Sequence, residues 1–129
     1  MDKKLQENFN IIDWWKKVVI EDFANFSGRA RRKEYWMFIL FNTIFSYSLM
    51  FIDVYFETLF INTIYTFAVL IPSIAVGVRR MHDVGKSGWY LLIPIYNLVL
   101  TFTEGEYGSN EYGPDPKNTN LEINEIGKE

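Results

Sequence analysis

Apolar positions along the chain gather into two long blocks and one short one. Residues 35–52 contain eighteen positions without a formal charge, and residues 58–78 contain twenty-one more. At about 1.5 Å per residue, helices of those lengths measure roughly 27 and 32 Å, close to the roughly 30 Å hydrocarbon thickness of a bilayer. The pattern predicts two spans joined by a tight turn over residues 53–57. Pro72 lacks a backbone N–H, so a kink is expected inside the second span, with a neighbouring helix compensating the freed carbonyl. Asn62 and Ser73 are candidates for inter-helix contact.

The third block, residues 89–103, has fifteen positions and is interrupted by Pro94. As a straight helix it would reach only about 22 Å. It is read as a short span, with a re-entrant or interfacial segment as the alternatives. Upstream of the spans, Ile12, Trp15, Val19, Phe23 and Phe26 recur at steps of three and four, with Asp13, Lys16, Lys17 and Glu21 between them. That spacing predicts an amphipathic helix. With Trp14 and Trp15 beside Lys16 and Lys17, it is placed at the headgroup level, an ordinary soluble helix being the alternative. Residues 1–10 lack the succession of a cleavable signal, so the first span is expected to direct insertion.

Composition narrows the chemistry. The 129 residues suit one domain, and 49% hydrophobic content with 18% aromatics argues against disorder. Cysteine is absent and His82 is the single histidine, which removes disulfides, thiolate metal sites and thiol catalysis. A net charge of −3 gives no reason to expect nucleic-acid binding. That charge is unevenly spread. Lys3, Lys4, Lys16, Lys17, Arg29, Arg31, Arg32 and Lys33 precede the first span, Arg79, Arg80 and Lys86 follow the second, and the turn between them has no cation. The positive-inside rule therefore puts the N-terminus and both basic segments in the cytoplasm. A crossing third block would put the tail, residues 104–129, outside; a re-entrant one would keep it inside. Its glycines, prolines and surplus of acids suit an exposed, loosely ordered segment.

Two charged motifs flank the hairpin. In Phe26-Ser-Gly-Arg-Ala-Arg-Arg-Lys-Glu-Tyr-Trp36, four cations fall within five residues just before a span. Guanidinium groups pair with phosphate oxygens, and each cation near an anionic surface contributes about 1 kcal/mol, so lipid headgroups are natural ligands; the plainer alternative is that these residues only fix orientation. Glu34 can pair with Arg31 one helical turn away. In Arg79-Arg-Met-His-Asp-Val-Gly-Lys-Ser-Gly-Trp89, a phosphate-cradling loop would need glycine where Arg80 stands, so that reading fails. A metal site lacks ligands, and Ser87, His82 and Asp83 lie too close in sequence, without an evident oxyanion hole, to form a triad. Asp83 is instead expected to pair with Arg79 or Arg80, while Gly85 and Gly88 permit a tight reversal. His82 is read as a hydrogen-bonded structural group, with pH sensing as the alternative. Tyr112-Gly-Pro-Asp-Pro116 reads as a turn.

These three blocks together resemble the bacterial inner-membrane family catalogued as domain of unknown function 805, over about residues 14–116. The resemblance implies a small integral membrane protein of several helices whose biochemical activity is not established. The third apolar block is shorter here than that pattern leads one to expect. If the tail is cytoplasmic, Asp115 can fold back onto Arg29, Arg31, Arg32, Arg79 or Arg80.

The resulting expectation is an all-α, small polytopic integral membrane protein of the bacterial inner membrane. Residues 1–34 form a cytoplasmic segment with an interfacial helix and an Arg-rich collar, residues 35–103 the membrane domain, and residues 104–129 an exposed acidic tail. Arg29, Arg31, Arg32, Arg79, Arg80 and Lys86 are the candidate contacts for anionic lipid headgroups or a partner protein; His82 and Asp83 are candidates for a structural or pH-sensitive role. No catalytic residue, cofactor or metal is expected. The leading function is a non-enzymatic binding or interaction protein, and the alternative is a small transporter or pore subunit assembled from several copies. The absence of charge within either long span counts against ion translocation.

Overall fold

The computed structural model describes residues 8–116. The expectations for Lys3, Lys4 and the rest of residues 1–7, and for the tail beyond Pro116, lie outside the described residues. Among the described residues the architecture is all-helical, without named strands. Helix α1 (Ile11–Lys16) continues into a π-helical turn, Lys17–Glu21. Next come α2 (Arg32–Tyr55), α3 (Ile61–Ala68), α4 (Leu70–Asp83), a 3₁₀ turn (Gly88–Leu92) and α5 (Tyr96–Phe102).

The hairpin follows the sequence pattern closely. Both α2 and the rod formed by α3 and α4 are long and apolar enough to cross a membrane, and only 11% of the most apolar window of α2 is buried within the protein. Phe51, Val54, Leu59 and Phe67 face outward, which fits helices surrounded by hydrocarbon. The break between α3 and α4 falls at Val69, three residues before Pro72, where the proline ring would clash with the Ala68 carbonyl in a regular helix. At the hairpin turn, the Asp53 carboxylate accepts bonds from Thr58 Oγ1 (2.6 Å), Ile61 N (3.1 Å) and Asn62 N (2.9 Å). A side chain from the last turn of α2 thus caps the first turn of α3.

A polar seam fastens α2 to α3. Trp15 Nε1 donates to Tyr65 Oη (3.1 Å), Tyr65 Oη donates to Asn42 Oδ1 (2.6 Å), and Ser46 Oγ donates to Asn62 Oδ1 (2.8 Å). Such bonds hold helices together where lipid offers no competing partner. Nearer the basic end, Val18, Ala30, Phe38 and Val76 form the apolar core, with Trp15, Val19, Tyr35 and Ile39 packed against it.

Two expectations need correction. The N-terminal helix ends at Glu21 and buries Trp14 and Val18, one turn apart, while Ile12, Phe23 and Phe26 stay exposed. The cause is tertiary: Val18 sits in the core against α2 and α4, and the ring of Trp14 lies under the Arg31 guanidinium, 5.9 Å from its centroid. The third apolar block does not run straight. Pro94 and Ile95, the latter at φ 68°, split it into the 3₁₀ turn and a seven-residue α5 of about 10 Å. The chain leaves α4 and returns to it: Leu91 lies against Gly77, and the carbonyls of Thr101 and Thr103 reach Arg80. Asn97 Nδ2 closes this elbow on the Leu91 carbonyl at 2.7 Å. The two ends of this block therefore lie at the same end of the hairpin, and residues 104–106 reach Asp83 there as well.

Candidate functional site: a buried arginine–aspartate cap

The C-terminal end of α4 is where the three sequence blocks meet. A helix end leaves carbonyls without partners inside the helix. Here Lys86 N donates to Met81 O (2.9 Å) and Gly85 N to His82 O (3.0 Å), a paired closure that requires the left-handed φ of +77° at Gly85. Carbonyls of this helix end also accept from elsewhere in the chain: Ala30 N donates to Arg79 O (2.9 Å), Glu106 N to Asp83 O (2.7 Å) and Asn110 Nδ2 to His82 O as a second donor (3.0 Å).

Asp83 is the hub. Its Oδ1 accepts from Arg29 Nε (2.9 Å) and its Oδ2 from Arg80 Nη1 (2.6 Å), so it bridges the first block to its own. The pairing expected with Arg79 or Arg80 therefore involves Arg80, with Arg29 as a second partner. Both arginine side chains are 0% exposed, and each extends further. Arg29 also donates to the carbonyls of Gly108 (2.6 Å), Gly113 (3.4 Å), Asp83 (3.4 Å) and Glu106. Arg80 reaches the carbonyls of Ala30 (3.1 Å), Thr101 (3.3 Å) and Thr103. A planar fork of five donors suits this work, since it gathers several acceptors from different segments at one point.

Arg79 faces the other way. Its Nη1 donates to Glu34 Oε2 (2.5 Å) and its Nε to Asn25 O (3.1 Å), while Lys17 Nζ donates to the other oxygen of Glu34 (3.0 Å) and to Asp22 (2.8 Å). Glu34, only 1% exposed, thus pairs with Lys17 and Arg79 rather than with Arg31, because the first turn of α2 faces α4 and the π-helical turn. Sequence reasoning missed this second hub. One acid standing inside a run of cations at the start of a span was its signal.

Burial raises the affinity of the Asp22 carboxyl for its proton, but bonds from Lys17 and Asn25 and the Arg79 charge outweigh it and hold its pKa below the usual value. A lowered carboxyl contributes stability that is complete above its ordinary pKa of about 3.9 and disappears as pH falls through the folded-state value. The unfolding midpoint of the wild type in detergent is therefore expected to exceed that of Asp22→Asn by a constant margin from neutrality to about pH 5, and the margin to shrink below about pH 4. A margin that widens on acidification would contradict the assignment.

His82 donates from Nδ1 to Gly28 O (2.9 Å) and stacks on Tyr112 with ring centroids 4.0 Å apart, the hydrogen-bonded reading. Residues 110–113 form a turn closed by reciprocal bonds between Asn110 and Gly113. Residues 104–116 are docked rather than loosely ordered. Asp115, only 4% exposed, accepts from Gly108 N (2.9 Å); the first block reaches this turn through Arg29, on the Gly108 and Gly113 carbonyls. Of the six cations named as headgroup contacts, Arg29, Arg79 and Arg80 are enclosed in internal pairs, whereas Arg31, Arg32 and Lys86 reach the surface at least in part. Arg31, Arg32 and Lys33 line a cleft of about 600 Å³ together with Asp83, Glu104, Gly105, Tyr107 and Asp115, Arg32 standing 3.9 Å from Glu104.

A hairpin with outward apolar faces, closed at one end by a buried ionic cap, defines a membrane protein with a structured polar end. The family model described as protein of unknown function (DUF805) matches residues 23–114, and the chain belongs to that family. The chain is similar to inner membrane protein YhaI of Escherichia coli (strain K12), 42% identical over 112 residues covering 80% of this chain and 95% of that one. It is also similar to inner membrane protein YhaH of the same organism, 40% identical over 119 residues covering 82% and 98% respectively. No solved structure matches.

Proposed function

We propose that the protein is a non-enzymatic inner-membrane binding protein whose cap lies in the cytoplasm and whose surface cations engage phosphate-bearing anionic headgroups. The observation that carries this reading is the cleft itself: Arg31, Arg32 and Lys33 stand side by side at the first turn of a 24-residue apolar helix, where hydrocarbon gives way to water. The amides of that first turn add positive potential, and Arg31 at the N-cap supplies no side-chain acceptor to quench it. Asp83 in the same cleft is already neutralised by Arg29 and Arg80. The distribution of cations at the cap and their absence from residues 53–57 support a cytoplasmic cap. The docking of residues 104–116 on the cap supports the same side for that segment. The polar atoms of the α2–α3 seam bond to one another, which favours binding over a solute path.

Titration of the acyl-free headgroup glycerophosphoglycerol into protein held in neutral detergent tests this at low ionic strength. Changing Arg31, Arg32 and Lys33 together to Gln is expected to weaken binding by about 100-fold, at about 1 kcal/mol per cation. Equal affinity in the two proteins would remove the proposal.

A further inference from the structure

Two hydroxyls inside α2 lack the partners that the rest of the hairpin gives its own. Ser46 Oγ bonds across to Asn62, and Ser48, Thr63, Thr66 and Ser73 each return the hydroxyl to the carbonyl four residues before, at 2.6–2.9 Å. Among the described residues, neither Thr43 Oγ1 nor Tyr47 Oη has a hydrogen-bond partner, and both residues are exposed, Tyr47 at 57%.

Their depth makes this costly. Thr43 stands about 16 Å along α2 from Arg32 and about 18 Å from Tyr55, near the middle of the helix. Tyr47 starts about 12 Å from the end at the hairpin turn, and a helical side chain leans toward the helix N-terminus, which carries the phenol deeper rather than out to the headgroups. Acyl chains offer no hydrogen bond at that depth.

The two residues belong to one contact line. Leu40, Thr43, Tyr47, Met50 and Val54 follow one another at alternate steps of three and four, all exposed, as the a and d positions of a coiled coil do. They lie to one side of Asn42, Ser46 and Asp53, which α2 turns toward α3. The neighbouring line of Ile44, Ser48, Phe51 and Tyr55 is no less exposed, but its hydroxyl at that depth, Ser48 Oγ, is already spent on the Ile44 carbonyl (2.9 Å).

Symmetry and hydroxyl chemistry together say what covers the line. Copies inserted the same way into a membrane pair about a two-fold axis along the bilayer normal, so each residue on the line meets its own counterpart. A hydroxyl both donates and accepts, so it is satisfied by a second copy of itself, which a face of donors alone would not be. We propose that α2 forms a parallel dimer of this protein along Leu40, Thr43, Tyr47, Met50 and Val54, with the Thr43 and Tyr47 hydroxyls bonding across the axis. The contact rests on the hairpin crossing the bilayer and uses none of the cleft residues.

Cysteine is absent from the chain, so single introduced cysteines report on the contact in native membranes. Under mild oxidation, Leu40→Cys and Met50→Cys are expected to give disulfide-linked dimers. Ile44→Cys and Phe51→Cys, at equally exposed positions on the neighbouring line, are expected to stay monomeric on the same gel. Sedimentation in mild detergent tests the hydroxyls. Thr43→Val/Tyr47→Phe keeps the shape of both exposed side chains, so it is expected to fold, and its dimer dissociation constant is expected to rise about tenfold, the equivalent of two lost interhelical hydrogen bonds. Ser48→Ala is expected to leave that constant unchanged. The variant with Arg31, Arg32 and Lys33 changed to Gln is expected to dimerise as the wild type does, which separates this contact from the headgroup cleft. Equal cross-linking on both lines, cross-links to another protein in place of a second copy, or an unaltered constant in the double variant would overturn the proposal.

Discussion

Replacing Asp83 by alanine is expected to cost the folded protein about 3–5 kcal/mol, because two guanidinium groups are then left in a buried site without their carboxylate. Arg29 and Arg80 have no exposed side-chain surface through which water could take over. The loss should reach beyond one pair. Arg29 fixes the Gly108 and Gly113 carbonyls and Arg80 the Thr101 and Thr103 carbonyls, so both the elbow and the segment after it depend on the same carboxylate for the position of their anchors. Thermal unfolding in mild detergent, paired with limited proteolysis, checks this: cleavage is expected first within residues 104–116. A variant within about 0.5 kcal/mol of the wild type, the range of an ordinary surface substitution, would show that the carboxylate is not the hub.

Gly105→Ala is the second large effect. Glycine to alanine at an ordinary φ usually stabilises by about 0.4–1 kcal/mol through the unfolded chain. Gly105 has no positive φ, yet a Cβ there would lie 1.9 Å from Asp83 Oδ2. That oxygen cannot simply swing aside, since Arg80 holds it at 2.6 Å and Arg29 holds its twin at 2.9 Å. Breaking one such charge-assisted bond costs about 1.5–3 kcal/mol, so the net effect is expected to be destabilising. The double variant Gly105→Ala/Asp83→Ala removes the clash, and its loss should fall clearly short of the sum of the two single losses. Strict additivity in the unfolding midpoints would refute the contact.

The cap also accounts for the spacing of the three blocks. Arg29 comes from the first, Arg80 and Asp83 from the second, and Gly113 with Asp115 from the third, and they converge on one helix end. Read singly, each block resembles a surface feature: a basic juxtamembrane run, a glycine-rich turn, a proline turn. Their common purpose emerges only when the elbow carries the chain back.

The hairpin was legible in the sequence because hydrocarbon imposes a one-dimensional rule. A run of uncharged residues long enough to span, a proline within it and an acidic, cation-free turn fix two helices, their break and their connection without reference to any other segment. Turn chemistry at Gly85 and around Gly113 was legible for the same local reason. The N-terminal helix was half legible: its existence followed from spacing, but which face it buries depended on the core it meets. Apolar residues near both a membrane boundary and a protein core satisfy either surroundings, so of Ile12, Trp15, Val19, Phe23 and Phe26, which periodicity chose, only Trp15 and Val19 pack against the core, while Trp14 and Val18 are fully buried.

Charge pairing was decided by tertiary structure alone. A cation beside a membrane has the same sequence signature whether it faces a headgroup or an internal carboxylate, and the partners here stand 54 residues apart for Arg29 with Asp83 and 45 apart for Arg79 with Glu34. The sequence by itself determined the two long apolar helices and the turn between them, since those depend on local apolar length. Only the folded chain decided that the third block turns back, that three of the six candidate cations are sealed inside and that Arg31 and Arg32 line an open cleft, because burial of a charge depends on acceptors from distant segments that can replace its water.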